Sequence, residues 1–66
     1  MKLKWLDVRN IAIELEDAHP DEDNVNLSFS NLKKWVTELE GFDDNPNGCN
    51  EKILEAIQMA WLDERD

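Results

Sequence analysis

The chain has little of what would staple, punctuate or catalyse. A single cysteine, Cys49, among 66 residues rules out an internal disulfide, so apolar burial alone has to hold the fold. A lone thiol also suits a reducing compartment. One histidine, His19, leaves no Cys/His zinc spacing and no Ser/His/Asp set, and two glycines supply no phosphate-binding loop. No apolar stretch approaches the roughly 20 residues that span a bilayer. The opening Met1-Lys2-Leu3-Lys4-Trp5-Leu6-Asp7 lacks the apolar run of a signal peptide, so the expected location is cytoplasmic. Basic side chains are scarce, 7 against 16 acidic ones, for a formal net charge of -9. Such a surface repels nucleic-acid phosphates and anionic membranes and attracts basic proteins and cations.

What is present is enough for one small core. A chain of this length buries only about 60% of the surface it exposes when unfolded, which leaves a thin margin of stability. Three tryptophans in a 41% hydrophobic composition supply the needed bulk. Asp7 reads as an N-cap, and Val8, Ile11, Ala12 and Leu15 recur at helical spacing, so a first helix is expected from Val8 to Ala18, closed by Pro20. Val25 and Leu27 alternate across Asn24 to Ser28, a pattern compatible with a short extended stretch. Ser30 is a plausible cap for a second helix over Asn31 to Glu40, with Leu32, Trp35, Val36 and Leu39 on one face and Gly41 where a left-handed residue is wanted. Lys34 and Glu38 stand at i,i+4 spacing for an ion pair.

The best-specified element follows the turn Phe42 to Asn50. Pro46 fixes φ while Asn and Gly tolerate positive φ, so one helix stops and the next is aimed. Asn50 can cap that last helix, Glu51 complements its dipole, and Ile53, Leu54, Ile57, Ala60 and Trp61 form its apolar stripe. The fold class expected is mainly α, a single small orthogonal three-helix domain. Its core should draw on Leu3, Trp5, Ile11, Leu15, Phe29, Leu32, Trp35, Leu39, Phe42, Ile53, Leu54, Ile57 and Trp61. Nothing in the pattern demands an oligomer, and a monomer is expected.

Each chemical signal has a plainer counterpart. Asp43-Asp44-Asn45-Pro46-Asn47-Gly48 resembles the opening of a calcium loop, but position twelve, which needs a bidentate acid, is the core residue Leu54; turn and cap is the better reading. Cys49 lies near a helix N-terminus without a histidine beside it in sequence, and reads as a small filler. His19, beside an acidic run, reads as a solvent-facing loop residue rather than a metal ligand. The carboxylates lack an evident cleft, so no enzyme is expected. Between Arg9 and Lys33 there is no Lys or Arg, while Glu14, Glu16, Asp17, Asp21, Glu22 and Asp23 crowd together. Asp17, Asp21 and Asp23 flank the end of the first helix, and Asp43 and Asp44 the end of the second. These five are the candidate partner-binding residues. Asp17, Asp21 and Asp23 are also the candidate metal ligands, suited to weak binding of a hard or borderline cation. The same surface serves equally as an acidic interaction module for a basic partner, a DNA mimic included, without a metal role.

Longer motifs then stand out. Leu3-Lys4-Trp5 with Asp7, Asp17 with Pro20-Asp21 and Asp23, Trp35 with Leu39, Phe42-Asp43-Asp44 with Pro46, and Asn50 to Ile57 with Trp61-Leu62-Asp63 resemble the IscX family, small acidic proteins of bacterial iron–sulfur cluster assembly. The resemblance covers essentially the whole chain. It implies a helical fold similar to a winged helix, weak ferrous iron binding through carboxylates, and docking on the cysteine desulfurase IscS in competition with a frataxin-like protein. The family role it implies is that of a desulfurase regulator or iron adaptor. The acidic role carries over to Asp17, Asp21, Asp23, Asp43 and Asp44, which match. The chain departs from the family pattern at Glu16 and His19, where aromatics are common, and at Asn24, Asn45 and Cys49. Those changes touch the metal-binding patch and the docking contacts rather than the fold.

Overall fold

The computed structural model describes residues 2–65. Three helices dominate it, α1 (Val8–Ala18), α2 (Phe29–Thr37) and α3 (Glu51–Arg65). The protein is a small mainly-α domain. Extended structure among the described residues is limited to one parallel bridge, between Leu3 and Phe42. There the Leu3 N–H donates to the Gly41 carbonyl at 2.7 Å and the Asp43 N–H to the Leu3 carbonyl at 2.8 Å, so the N-terminal segment is strapped to the chain that leaves α2.

Helix α1 has the expected bounds but a different start. Asp7 occupies the N-cap position with ψ 54°, not the extended ψ that lets a side chain cap, and its carboxylate makes no cap bond. Its Oδ2 accepts the Lys4 N–H at 3.0 Å, while the Asp7 N–H donates back to the Lys4 carbonyl at 2.9 Å. The residue closes a tight turn instead of a helix.

Helix α2 is shifted from the expected Asn31 to Glu40. Ser28, extended at φ -86° and ψ 154°, accepts the Asn31 N–H on its Oγ at 3.2 Å, so Ser28 and not Ser30 is the cap. The helix ends at Thr37 because the Leu39 N–H turns back onto the Val36 carbonyl at 3.1 Å, a tighter closure than the helical repeat. Thr37 Oγ1 donates to the Lys34 carbonyl in the same turn. Gly41 is not left-handed; no glycine among the described residues has positive φ. Lys34 and Glu38 do not pair, in keeping with the small return on ordering two exposed side chains. Val25 and Leu27 do not form an extended stretch either. Val25 is 62% exposed, and the chain there bends around the Asp23 carboxylate.

Helix α3 begins as expected: Asn50 Oδ1 accepts the Ile53 N–H at 2.9 Å. Glu51 lies in its first turn and Arg65 in its last, each complementing the helix dipole. The buried core comprises Leu3, Trp5, Ile11, Ala12, Leu15, Leu32, Val36, Leu54, Ile57 and Trp61. Phe29, Trp35, Leu39, Phe42 and Ile53, expected inside, are only half-buried around it, since a domain this small has more large apolar side chains than interior. α1 packs chiefly on α3. Trp5 is seated on the far loop: its Nε1–H donates to the Asn45 carbonyl at 2.6 Å, and its ring meets Phe42 edge-on at 5.0 Å. Gly48 leaves room for this seat. A Cβ there would stand 3.1 Å from the Asn45 carbonyl oxygen and 3.5 Å from the Trp5 ring.

The cap register is directly measurable by urea unfolding. Ser28→Ala is expected to cost about 1 kcal/mol, the usual loss for an N-cap, whereas Ser30→Ala should stay within about 0.5 kcal/mol.

Candidate functional site

Two kinds of carboxylate emerge on this acidic surface. The first kind is spent on hydrogen bonds within the chain. Glu16 Oε1 accepts both the Trp61 Nε1–H and the Arg65 Nε–H, each at 2.9 Å. Arg65 lies over the Trp61 ring, 5.4 Å from its centroid, and Trp61 meets Trp35 edge-on at 5.9 Å. The indole bond first, and then the guanidinium, hold the Glu16 carboxyl below its ordinary pKa.

Asp23 and Asp44 do the same for the loops. Asp23 Oδ1 accepts the backbone N–H groups of Val25 at 2.9 Å and Asn26 at 3.0 Å, and Oδ2 takes the Asn26 side-chain amide at 3.3 Å. Asp44 Oδ2 accepts the Trp5 N–H at 3.0 Å and Oδ1 the Asn45 N–H at 2.7 Å. Both carboxyls are held below the ordinary aspartate value, Asp23 first by the Asn26 amide and Asp44 first by the Trp5 amide. Asn45 Oδ1 likewise serves the backbone, accepting the Asn47 N–H at 2.9 Å. The oxygens of the 43–48 segment therefore build a turn, the plainer of the two readings open to that sequence.

The second kind faces solvent. Asp17 and Asp21 are exposed, and their carboxylates take part in none of the side-chain hydrogen bonds or ion pairs among the described residues. Asp43 is exposed too, but Lys2 and Lys4 stand 3.6 and 3.8 Å from it and offset its charge. A shallow groove of about 340 Å³ along α1 is lined by Ile13, Glu14, Glu16, Asp17 and Glu64, so the acidic face extends onto α3. Glu14 stands in the acidic run already read from the sequence, but Glu64 does not; the groove they share lies between helices distant in sequence. Arg65 was missed as well, although a lone base after Asp63 and Glu64 in a helix's last turn is a recognisable signal.

The residues do not fit a resident metal centre. Among the described residues no three His, Cys, Asp or Glu side chains converge to hold an ion, so Asp17, Asp21 and Asp23 are neighbours in sequence and not a ligand cage. Asn24 is buried with its Nδ2 unpartnered, and a free donor offers a cation nothing. His19 is not the solvent-facing residue expected: half-buried, its ring stacks on Trp35 with centroids 4.9 Å apart. The exposed half of the indole gives it an apolar seat. Cys49 is half-buried against the core, as a filler would be. No helix of the described residues is long and apolar enough to cross a membrane.

Comparison with known proteins gives the surface a context. The model of a family described as iron–sulphur cluster assembly matches residues 3–66. The chain is also similar to uncharacterized protein PA3808 of Pseudomonas aeruginosa, 50% identical over 66 residues, with all of both chains covered.

Acid should lower the stability of the protein through the hydrogen-bonded carboxylates Glu16, Asp23 and Asp44. Their folded pKa values lie below the unfolded ones, so the stability they add is complete at neutral pH and is lost as pH falls from the ordinary carboxyl range through the depressed folded values. Urea midpoints measured from pH 7 down to pH 2 should fall along that limb, and Glu16→Gln should flatten it. At pH 7, Asp44→Ala should lower the midpoint clearly while Asp43→Ala leaves it nearly unchanged.

Proposed function

Because the chain belongs to the iron–sulphur cluster assembly family, we propose that it is an IscX-type accessory protein that docks on the cysteine desulfurase IscS and tunes sulfur release for cluster building. The observation that carries the reading is the whole-chain family match on a surface of net charge -9 whose Asp17 and Asp21 remain uncompensated. A basic face on the desulfurase is the matching surface, and a frataxin-like protein using that face would compete for it. Exposed charges of this kind speed encounter and fix orientation more than they add raw affinity, which suits a regulator that must leave. The protein acts as a monomer in the cytoplasm, has no catalytic group of its own, and binds neither nucleic acid nor membrane, since like charge repels both.

Ferrous iron enters as an exchangeable ligand, not a resident centre. Asp17, Asp21 and Asp23 supply hard oxygen donors on open ground, and Asp23 has least to give because its oxygens already serve its loop. Iron held so weakly responds to its concentration, and its positive charge changes the docking surface. The alternative is an acidic interaction module without a metal role, favoured by the lack of any converging ligand group among the described residues. Ferrous titration separates the two: shifts of the Asp17 and Asp21 resonances support the iron-responsive adaptor, and their absence supports the plain module.

Binding to purified cysteine desulfurase should be measured at low and at roughly physiological salt, with and without ferrous iron. Affinity should fall as salt screens the exposed pairs. Asp17→Asn with Asp21→Asn should weaken it severalfold at low salt without lowering the urea midpoint. Binding indifferent to salt and to both substitutions would sink the acidic docking reading.

A further inference from the structure

The turn that presents Asp21 is held from outside. His19, Pro20, Asp21 and Glu22 form it, with the Glu22 N–H donating to the His19 carbonyl at 3.3 Å and Pro20 at the second position, where its fixed φ is favoured. A bond that long closes a turn only loosely. Arg65 grips both ends. Its Nη2 donates to the His19 carbonyl at 2.9 Å and its Nη1 to the Glu22 carbonyl, while Nε is fixed on Glu16 at 2.9 Å. One guanidinium at the end of α3 thus spans the base of the turn, with exposed Asp21 at its tip. Further along, Gln58 Nε2 donates to the Asn24 and Val25 carbonyls at 3.1 Å each, so α3 secures the rest of the loop independently.

We propose that Arg65 is a positioning residue for docking: by bridging the His19 and Glu22 carbonyls from α3, it pre-forms the turn that offers Asp21 to a basic protein surface. The inference rests on the acidic docking reading above. Its physical content is preorganisation: a turn already fixed spares the complex the cost of ordering it. Only arginine does this, since a planar fork of five donors reaches three acceptors at once and an ammonium on a flexible stem does not.

The sign of the charge effect separates positioning from electrostatics. Arg65→Gln makes the chain one unit more negative, so net charge alone would tighten binding to a basic partner. Loss of positioning would weaken it. With purified cysteine desulfurase at low salt, Arg65→Gln is expected to bind about 2- to 10-fold more weakly, the range for one newly mobile segment. Amide exchange of Glu22, whose N–H closes the turn, should quicken by a larger factor than the core amides of α1 and α3, whose common rise reports the lost Glu16–Arg65 pair. Arg65→Lys, which keeps the charge, should also bind more weakly, and it serves if Arg65→Gln does not fold. Unchanged or tighter binding by both variants overturns the docking role. Exchange at Glu22 that rises no more than that of the core amides overturns the clamp itself, whatever the binding shows. Failure of the unaltered chain to bind the desulfurase overturns the docking reading and the docking role with it, while the exchange rates still report on the clamp.

Discussion

The Glu16 carboxylate is the constraint on which the arrangement of the helices turns. Trp61 is fully buried, and its indole N–H would cost about 1–3 kcal/mol if left without an acceptor. Glu16 supplies that acceptor from α1, and a carboxylate brought so close to the core needs a positive partner, which Arg65 supplies from α3. The guanidinium then has donors left over, and they go to the loop between α1 and α2. Trp35 from α2 packs on the edge of Trp61 and carries His19 on its own face. One buried polar atom therefore commits all three helices and a loop.

A second seat mirrors it at the other end of the molecule. Trp5 is buried, its indole N–H goes to the Asn45 carbonyl and its backbone N–H to Asp44. The chain after α2 is shaped to receive it, with Gly48 giving the clearance. In both seats a tryptophan supplies apolar bulk and one directional donor, and a carboxylate outside the core completes it. This is how a chain with so large an acidic excess tolerates it: part of the charge is structural, and what remains exposed is free to meet a partner. The chain belongs to the iron–sulphur cluster assembly family, and its exposed acidic face is the surface it carries into that family's work.

Much of this was legible in the sequence, and the parts that were not share a cause. The α1 bounds, the Asn50 cap and the stripe of α3 follow from local spacing, because a helix is a short-range periodic object. The start of α2 was misplaced because a serine stands at both 28 and 30, and only the folded backbone, extended at Ser28 with its Oγ on the Asn31 N–H, shows which of them caps. The five candidate aspartates were found by charge, yet charge does not say which way an oxygen points. Asp23 and Asp44 turned out to hold backbone amides, and Asp17 and Asp21 to face water.

By itself, then, the sequence determined a small helical domain with one core, a strongly acidic surface, no disulfide and a family likeness running the length of the chain. Periodicity, composition and net charge are sums over residues, and they survive without coordinates. Tertiary structure alone decided that His19 stacks on Trp35, that Glu16 is a buried indole's acceptor, and that Arg65 reaches back to residues more than forty positions earlier. Those are contacts between particular side chains, and each exists only once the fold has brought its two ends together, within about 3 Å for the hydrogen bonds.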